Sequence, residues 1–218
     1  MADSSGTALI PQHGGYRKLL TYKLGVLIYD ATAAFCDRYI NRRERTYDQM
    51  VQAARSGVAN IVEGSEASAT SKKTELKLTN VAKASQEELL FDYQAFLRQS
   101  HLPEWHSTSP RALLVRRSRP QNLEELRQLM AFLVSDISDN SDKSDIKAEV
   151  AGNVMICLIH QETFLLDRQI KKLAADFEKN GGFTERLYRV RSNLRKQSPV
   201  SDQSESSESS DKIFRKPK

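Results

Sequence analysis

Apolar residues recur at three- and four-residue intervals along most of this chain, and no stretch alternates apolar with polar as a half-buried strand does. The pattern predicts four long helices, at about 16–40, 47–63, 72–99 and 146–179, with Gly64 closing the second as a C-cap and Ser71 opening the third as an N-cap. Segment 103–120 contains Pro103, Pro110 and Pro120 and reads as a connector with a short helical turn near 112–117. Leu123, Leu126, Met130, Leu133 and Ile137 then predict a shorter amphipathic helix over 122–137, capped by Asn122. A polar low-complexity linker follows at 138–145. Gly181-Gly182 stops the last long helix, and a basic helical piece is expected at 184–196.

These elements predict an all-α fold: an antiparallel up-down four-helix bundle over 14–180, with the connector and extra short helix of 103–145 inserted. A basic helical suffix at 181–197 and a disordered tail at 198–218 complete it, the tail having too few apolar residues to offset its ordering entropy. Either 122–137 or 146–179 can supply the fourth bundle helix, and the longer is favoured. The first helix is unusual in having two apolar series. Leu20, Leu24, Leu27, Ala31, Ala34 and Phe35 form the face expected to enter the core. Leu19, Tyr22, Val26, Tyr29, Ala33, Cys36 and Ile40 form a second, leaving only Lys23, Asp30 and Asp37 as a polar stripe. A second face on so short a chain is expected to be covered by another subunit.

The longest purely apolar run is 154–159, far short of the roughly 18 residues a membrane span needs, so no membrane partner is expected. Residues 1–11 bear no positive charge ahead of their small apolar patch, unlike a secretory signal or transit peptide, and a cytoplasmic location is expected. Cys36 and Cys157 each sit in an apolar helical pattern, as buried free thiols do. The net charge of +5 in 218 residues is modest but comes in blocks: +3 over 101–120, −4 over 121–150, +4 over 181–198, −4 over 199–211 and +4 over 212–218. Such blocks suit either solvated loops or contact with phosphate backbones.

Residues 14–22 (GGYRKLLTY), 45–68 (RTYDQMVQAARSGVANIVEGSEAS) and 77–98 (KLTNVAKASQEELLFDYQAFLR) resemble four-helix-bundle proteins related to the large-subunit ribosomal RNA intervening-sequence proteins. Asn60-Ile61-Val62-Glu63-Gly64 and Ala84-Ser85-Gln86-Glu87-Glu88-Leu89 carry most of the likeness. Segment 153–191 further resembles a subgroup with a four-helix-bundle suffix domain. The resemblance implies a cyclic homo-oligomer, a pentamer, and points to the accessory variability determinant of diversity-generating retroelements, which binds a reverse transcriptase and nucleic acid. It implies no reaction. The acidic linker and extra helix at 121–148 have no counterpart in that family's core.

Little in the sequence suits catalysis. Glu104 stands between His101 and His106, but Pro103 breaks the helix that a zinc-hydrolase motif requires, and Trp105 is expected to anchor the loop. Cys157 and His160 share a helical spacing without a second paired motif, so core packing is favoured over zinc. No Glu precedes a His by three residues, as di-iron bundles need, and no glycine-rich phosphate loop is present. Asn60, Glu63, Ser85 and Glu88 lie among apolar positions, where interhelical hydrogen bonding that sets register is favoured over a polar pocket. No catalytic, cofactor-binding or metal-ligating residue is therefore expected.

The remaining candidates are arginine clusters: Arg42, Arg43 and Arg45 at the first turn; Arg111, Arg116, Arg117 and Arg119 in the connector; Arg186, Arg189, Arg191, Arg195 and Lys196 in the suffix. Repeated around a ring, each is expected to contact the backbone of RNA or DNA, or a ribonucleoprotein partner such as a reverse-transcriptase-like protein, without reading sequence. The expected function is thus a non-enzymatic, homo-oligomeric scaffold for nucleic acid. The alternative is a protein-protein adaptor whose basic surface meets an acidic partner.

Overall fold

A computed structural model describes residues 15–137 and 143–197. The expected disordered tail and residues 138–142 of the expected linker lie outside these. After a 3-10 turn at Gly15–Lys18, the chain forms α1 (Leu20–Tyr39), α2 (Arg45–Ala67), α3 (Lys72–Gln99), α4 (Pro110–Ser118), α5 (Leu123–Asp136), α6 (Lys143–Asn180) and α7 (Phe183–Gln197). Among the described residues all regular structure is helical.

Local chemistry sets the ends. Ser71 Oγ accepts from the Thr74 N–H at 3.1 Å, and Ser109 Oγ accepts from that of Ala112 at 3.3 Å with Pro110 next to the cap, where its missing N–H costs nothing. Asn122 Oδ1 accepts from the Glu125 N–H at 2.9 Å while Glu125 Oε2 accepts from the Gln121 N–H at 2.8 Å, a reciprocal lock on the start of α5. Gly181, at φ 68°, ends α6 and donates its N–H to the Phe177 carbonyl.

Gly64 does not end α2, which continues to Ala67. The glycine is buried inside the helix, and a Cβ there would lie 3.4 Å from the Glu75 carbonyl oxygen and from Leu78 Cβ. It serves close approach of α2 to α3 rather than a turn. Likewise α1 starts at Leu20, with residues 15–18 wound as a 3-10 turn, and Lys143, Ser144 and Asp145 belong to α6 rather than to a linker.

α1, α2, α3 and α6 pack in a closed cycle, each against the next. The pairs Cys36–Met50, Gly57–Gln86, Lys83–Asp167 and Thr21–Gln169 show successive members running antiparallel. α4 and α5 lie outside this cycle, against α6. Consequently every residue from 150 to 159 is buried: α1 and α3 cover one side of α6, and the inserted helices cover the other. A helix apolar all round belongs in such an interior position.

The two apolar series of α1 find partners within the same chain. Leu27, Ala31 and Phe35 enter the main core, but so does Cys36, which is fully buried with its Sγ 3.9 Å from Met50 Sδ. Tyr29 and Ile40 pack on that core, Leu19 and Tyr22 on a second cluster of Ile61, Ala82 and Leu166, and Val26 and Ala33 are half-buried. Of Leu19, Tyr22, Val26, Tyr29, Ala33, Cys36 and Ile40, the residues expected to meet another subunit, only Cys36 is fully buried within the chain, and the other six are half-buried. The exposed apolar residue of α1 is instead Leu20, from the series expected in the core, at 64% exposure; Ala34 of that series is exposed too.

Candidate functional site

Behind α3 the chain leaves its helix at His101, whose φ of 56° turns the backbone, and the connector is fixed to α6 at Asn153. The buried Asn153 amide accepts the Trp105 N–H at 2.7 Å and donates to the Pro103 carbonyl at 2.9 Å. Trp105 Nε1–H donates to Glu149 at 2.7 Å, and the Arg111 guanidinium lies over the indole, 5.9 Å from its centroid. Trp105 thus anchors the connector, and α4 is laid along α6 with its basic C-terminal end projecting. There Arg116 donates to the Ser107 carbonyl at 2.5 Å, and Arg119 takes a left-handed conformation at φ 45° that turns the chain into the buried Pro120. A non-glycine residue in this region carries strain of about 1 kcal/mol, a feature concentrated at functional sites.

This turn closes one end of a groove of about 560 Å³. α1 contributes Leu20, Lys23 and Leu24; α6 contributes Leu158, Gln161, Phe164, Leu165 and Arg168; Arg116, Arg119, Pro120 and Gln121 form the third side. Four cationic side chains surround the apolar floor, no carboxylate lines it, and among the described residues none of the four has an ion-pair partner. Phe164 is 61% exposed. The groove can hold an extended anion that offers flat apolar surface as well.

Of the arginines expected to bind nucleic acid, the structure brings only Arg116 and Arg119 into this groove, and adds Lys23 and Arg168. Arg117 is exposed on α4 outside it, and Arg111 is held by Trp105. Arg42 is engaged by Asp37 at 2.6 Å and lies over Tyr47, while Arg43 and Arg45 are exposed at the α1–α2 turn. Arg42 and the Tyr47 hydroxyl together hold the Asp37 carboxyl below the usual range, the tyrosine bond being the larger cause. In α7, Arg189 donates to the Asn180 carbonyl and caps α6, Arg186 is half-buried, and Arg191 and Arg195 are exposed; the side chain of Lys196 lies outside what is described.

The polar residues read as register-setting are not so used. Asn60 donates within its own helix to the Ser56 carbonyl at 2.8 Å, Glu63 and Glu88 are exposed, and Ser85 is buried. Interhelical polar contacts are made instead by Tyr93 to Thr32 at 3.1 Å, Thr21 to Gln169 at 3.0 Å, Tyr47 to Asp37 at 2.7 Å and Lys83 to Asp167 at 2.8 Å. Two further core groups went unread: Gln86 and Glu162 are fully buried, and their amide and carboxyl groups have no hydrogen-bond partner among the described residues. Glycines face both, since a Cβ on Gly57 would meet Gln86 Nε2 at 2.4 Å and one on Gly25 would meet Glu162 Oε1 at 2.6 Å. Burial raises the Glu162 pKa well above the carboxylate range. The same cause pushes Cys36 up to about 12 and Cys157 up to about 11, so neither thiol is a ready nucleophile. His160 points to solvent while Cys157 is buried, so the two share no ligand face, and no three metal-ligating residues cluster among the described residues. Comparison with protein-family models, with curated proteins and with solved structures finds no match to this chain.

Proposed function

We propose that this chain is a non-enzymatic four-helix bundle, built up-down from α1, α2, α3 and α6, that binds single-stranded nucleic acid along the groove between α1, α6 and the α4–α5 turn. One observation carries the reading: four cations without an ion-pair partner among the described residues, Lys23, Arg116, Arg119 and Arg168, surround an apolar floor from which Phe164 stands exposed. Single strands are held by this combination, cations following the phosphates and an aromatic face stacking a splayed base. A duplex hides its base faces and gains nothing from Phe164. The resemblance to the intervening-sequence proteins supports a nucleic-acid partner. It also supports a homo-oligomer, a pentamer, and the subunit contact is then placed on the outer face of α3, where Val81, Ala84 and Phe91 are exposed together.

The second reading, an adaptor for an acidic protein, is favoured by the exposure of Leu20 beside Phe164, which an amphipathic helix covers better than a base does. Fluorescence anisotropy with labelled single-stranded RNA, single-stranded DNA, duplex DNA and polyglutamate separates them. Single strands are expected to bind about tenfold or more tighter than the duplex and polyglutamate, with Phe164→Ala costing about 1–3 kcal/mol. Tightest binding to polyglutamate overturns the nucleic-acid reading in favour of the adaptor.

A further inference from the structure

On the opposite side of the inserted helices lies a larger cavity, of about 770 Å³, between α1, α5 and α6. Its floor is buried and apolar: Phe35, Leu126, Val150 and Met155. Its size comes from small residues at the facing positions, Ala31 and Ala34 on α1, Ala131 on α5 and Ala151 on α6, which leave space where longer side chains would close the helices together. Three cations stand at the rim, Arg38, Arg127 and Lys147, all exposed and without an ion-pair partner among the described residues. The one carboxylate there, Asp37, is ion-paired with Arg42 at 2.6 Å and accepts a hydrogen bond from the Tyr47 hydroxyl at 2.7 Å.

The geometry points to a second binding site here, for a small anionic amphiphile of the fatty-acid class, its hydrocarbon body in the cavity and its carboxylate at Arg38, Arg127 and Lys147. The volume lies within the ~300–1,000 Å³ of small-molecule pockets. An extended peptide does not fit these walls, because each residue would bring a backbone donor and acceptor to a surface that offers almost none in return. A nucleotide would likewise leave its base edges unpaired. A hydrocarbon chain needs no such partners, and removing it and the cavity lining from water is favourable. The charge at the mouth selects an anion over a neutral or cationic head.

Isothermal titration of the full chain with decanoate, decan-1-ol and decyltrimethylammonium tests this. Decanoate is expected to bind saturably at one per chain, about tenfold or more tighter than either of the others. Arg127→Glu with Lys147→Glu should remove that preference. Ala131→Phe, at an exposed position on α5 that tolerates change, should fill the cavity and abolish binding while circular dichroism stays unaltered. Arg119→Glu, in the other groove, should leave decanoate binding intact, which keeps this site separate from the nucleic-acid reading. The site is overturned if decan-1-ol binds as tightly as decanoate, if neither cavity variant changes decanoate binding, or if no saturation occurs below about 1 mM.

Discussion

Glu162 is fully buried and faces Gly25, and among the described residues neither of its oxygens has a hydrogen-bond partner. Burial is the sole cause raising its pKa. A carboxyl whose folded pKa lies above its unfolded one favours the protonated fold. Its full contribution holds below the ordinary carboxylate range and is lost as pH rises through the raised folded value. Glu162→Gln keeps the shape without the charge and so removes this dependence. The thermal midpoint of the variant, measured against the wild type, should differ little near about pH 4 and move up by about 3 °C or more by about pH 8. A difference that stays constant over this range contradicts a buried, uncompensated carboxyl. The residue was visible in the sequence as a position in register, since Met155, Leu158, Glu162 and Leu166 follow three- and four-residue steps and are all buried. Gln86 stands likewise between Ala82 and Leu89. Periodicity assigns polar residues to the surface, and only packing shows that these two were carried inside by their neighbours.

Between α2 and α3 the packing distance is set by glycine. Gly57→Ala would place a methyl 2.4 Å from Gln86 Nε2 and 3.1 Å from its Cδ. The resulting overpacking costs about 1–3 kcal/mol, against about 1 kcal/mol gained in helix propensity. With Gln86 cut back to alanine the obstacle is gone, and Gly57→Ala should become stabilising. In urea denaturation the single substitution is expected to lower stability and the same substitution in the Gln86→Ala background to raise it, a reversal of sign that additive effects cannot give. Equal effects in both backgrounds would mean that α2 and α3 do not meet at this pair. At this scale much was legible: the predicted bounds of α3, 72–99, match its Ser71 cap, and α5 begins after Asn122 as expected. Gly64 was misread because a glycine at the end of an apolar pattern looks the same whether it stops a helix or lets another approach. The two apolar series of α1 both find contacts inside the chain, Leu27 and Cys36 in the main core and Leu19 and Tyr22 against the second cluster, because α1 is flanked on two sides by long helices.

Seen as a whole, the molecule is organised around α6, which the cycle of long helices covers on one side and the inserted α4 and α5 on the other. The insertion does more than shield α6, because both grooves lie along its edges. Their cations come from separate parts of the chain: Lys23 from α1, Arg116 and Arg119 from the α4–α5 turn, Arg168 from α6. Of these four, sequence clustering had singled out Arg116 and Arg119; Arg42 and Arg189, given equal standing with them, bond to Asp37 and to the end of α6. Counterion release makes the distinction measurable. On a single strand each neutralised phosphate contributes about −0.7 to the slope of log affinity against log salt, so the four groove cations correspond to a slope of about −3. The decisive measurement is that slope for single-stranded RNA with the wild type, with Arg119→Glu/Arg168→Glu, and with Arg191→Glu/Arg195→Glu in α7. The groove variant should bind more weakly and show a slope flatter by about 1.4 or more, while the α7 variant keeps the wild-type slope. A groove variant indistinguishable from wild type, or a loss confined to the α7 variant, would contradict the groove as the nucleic-acid site.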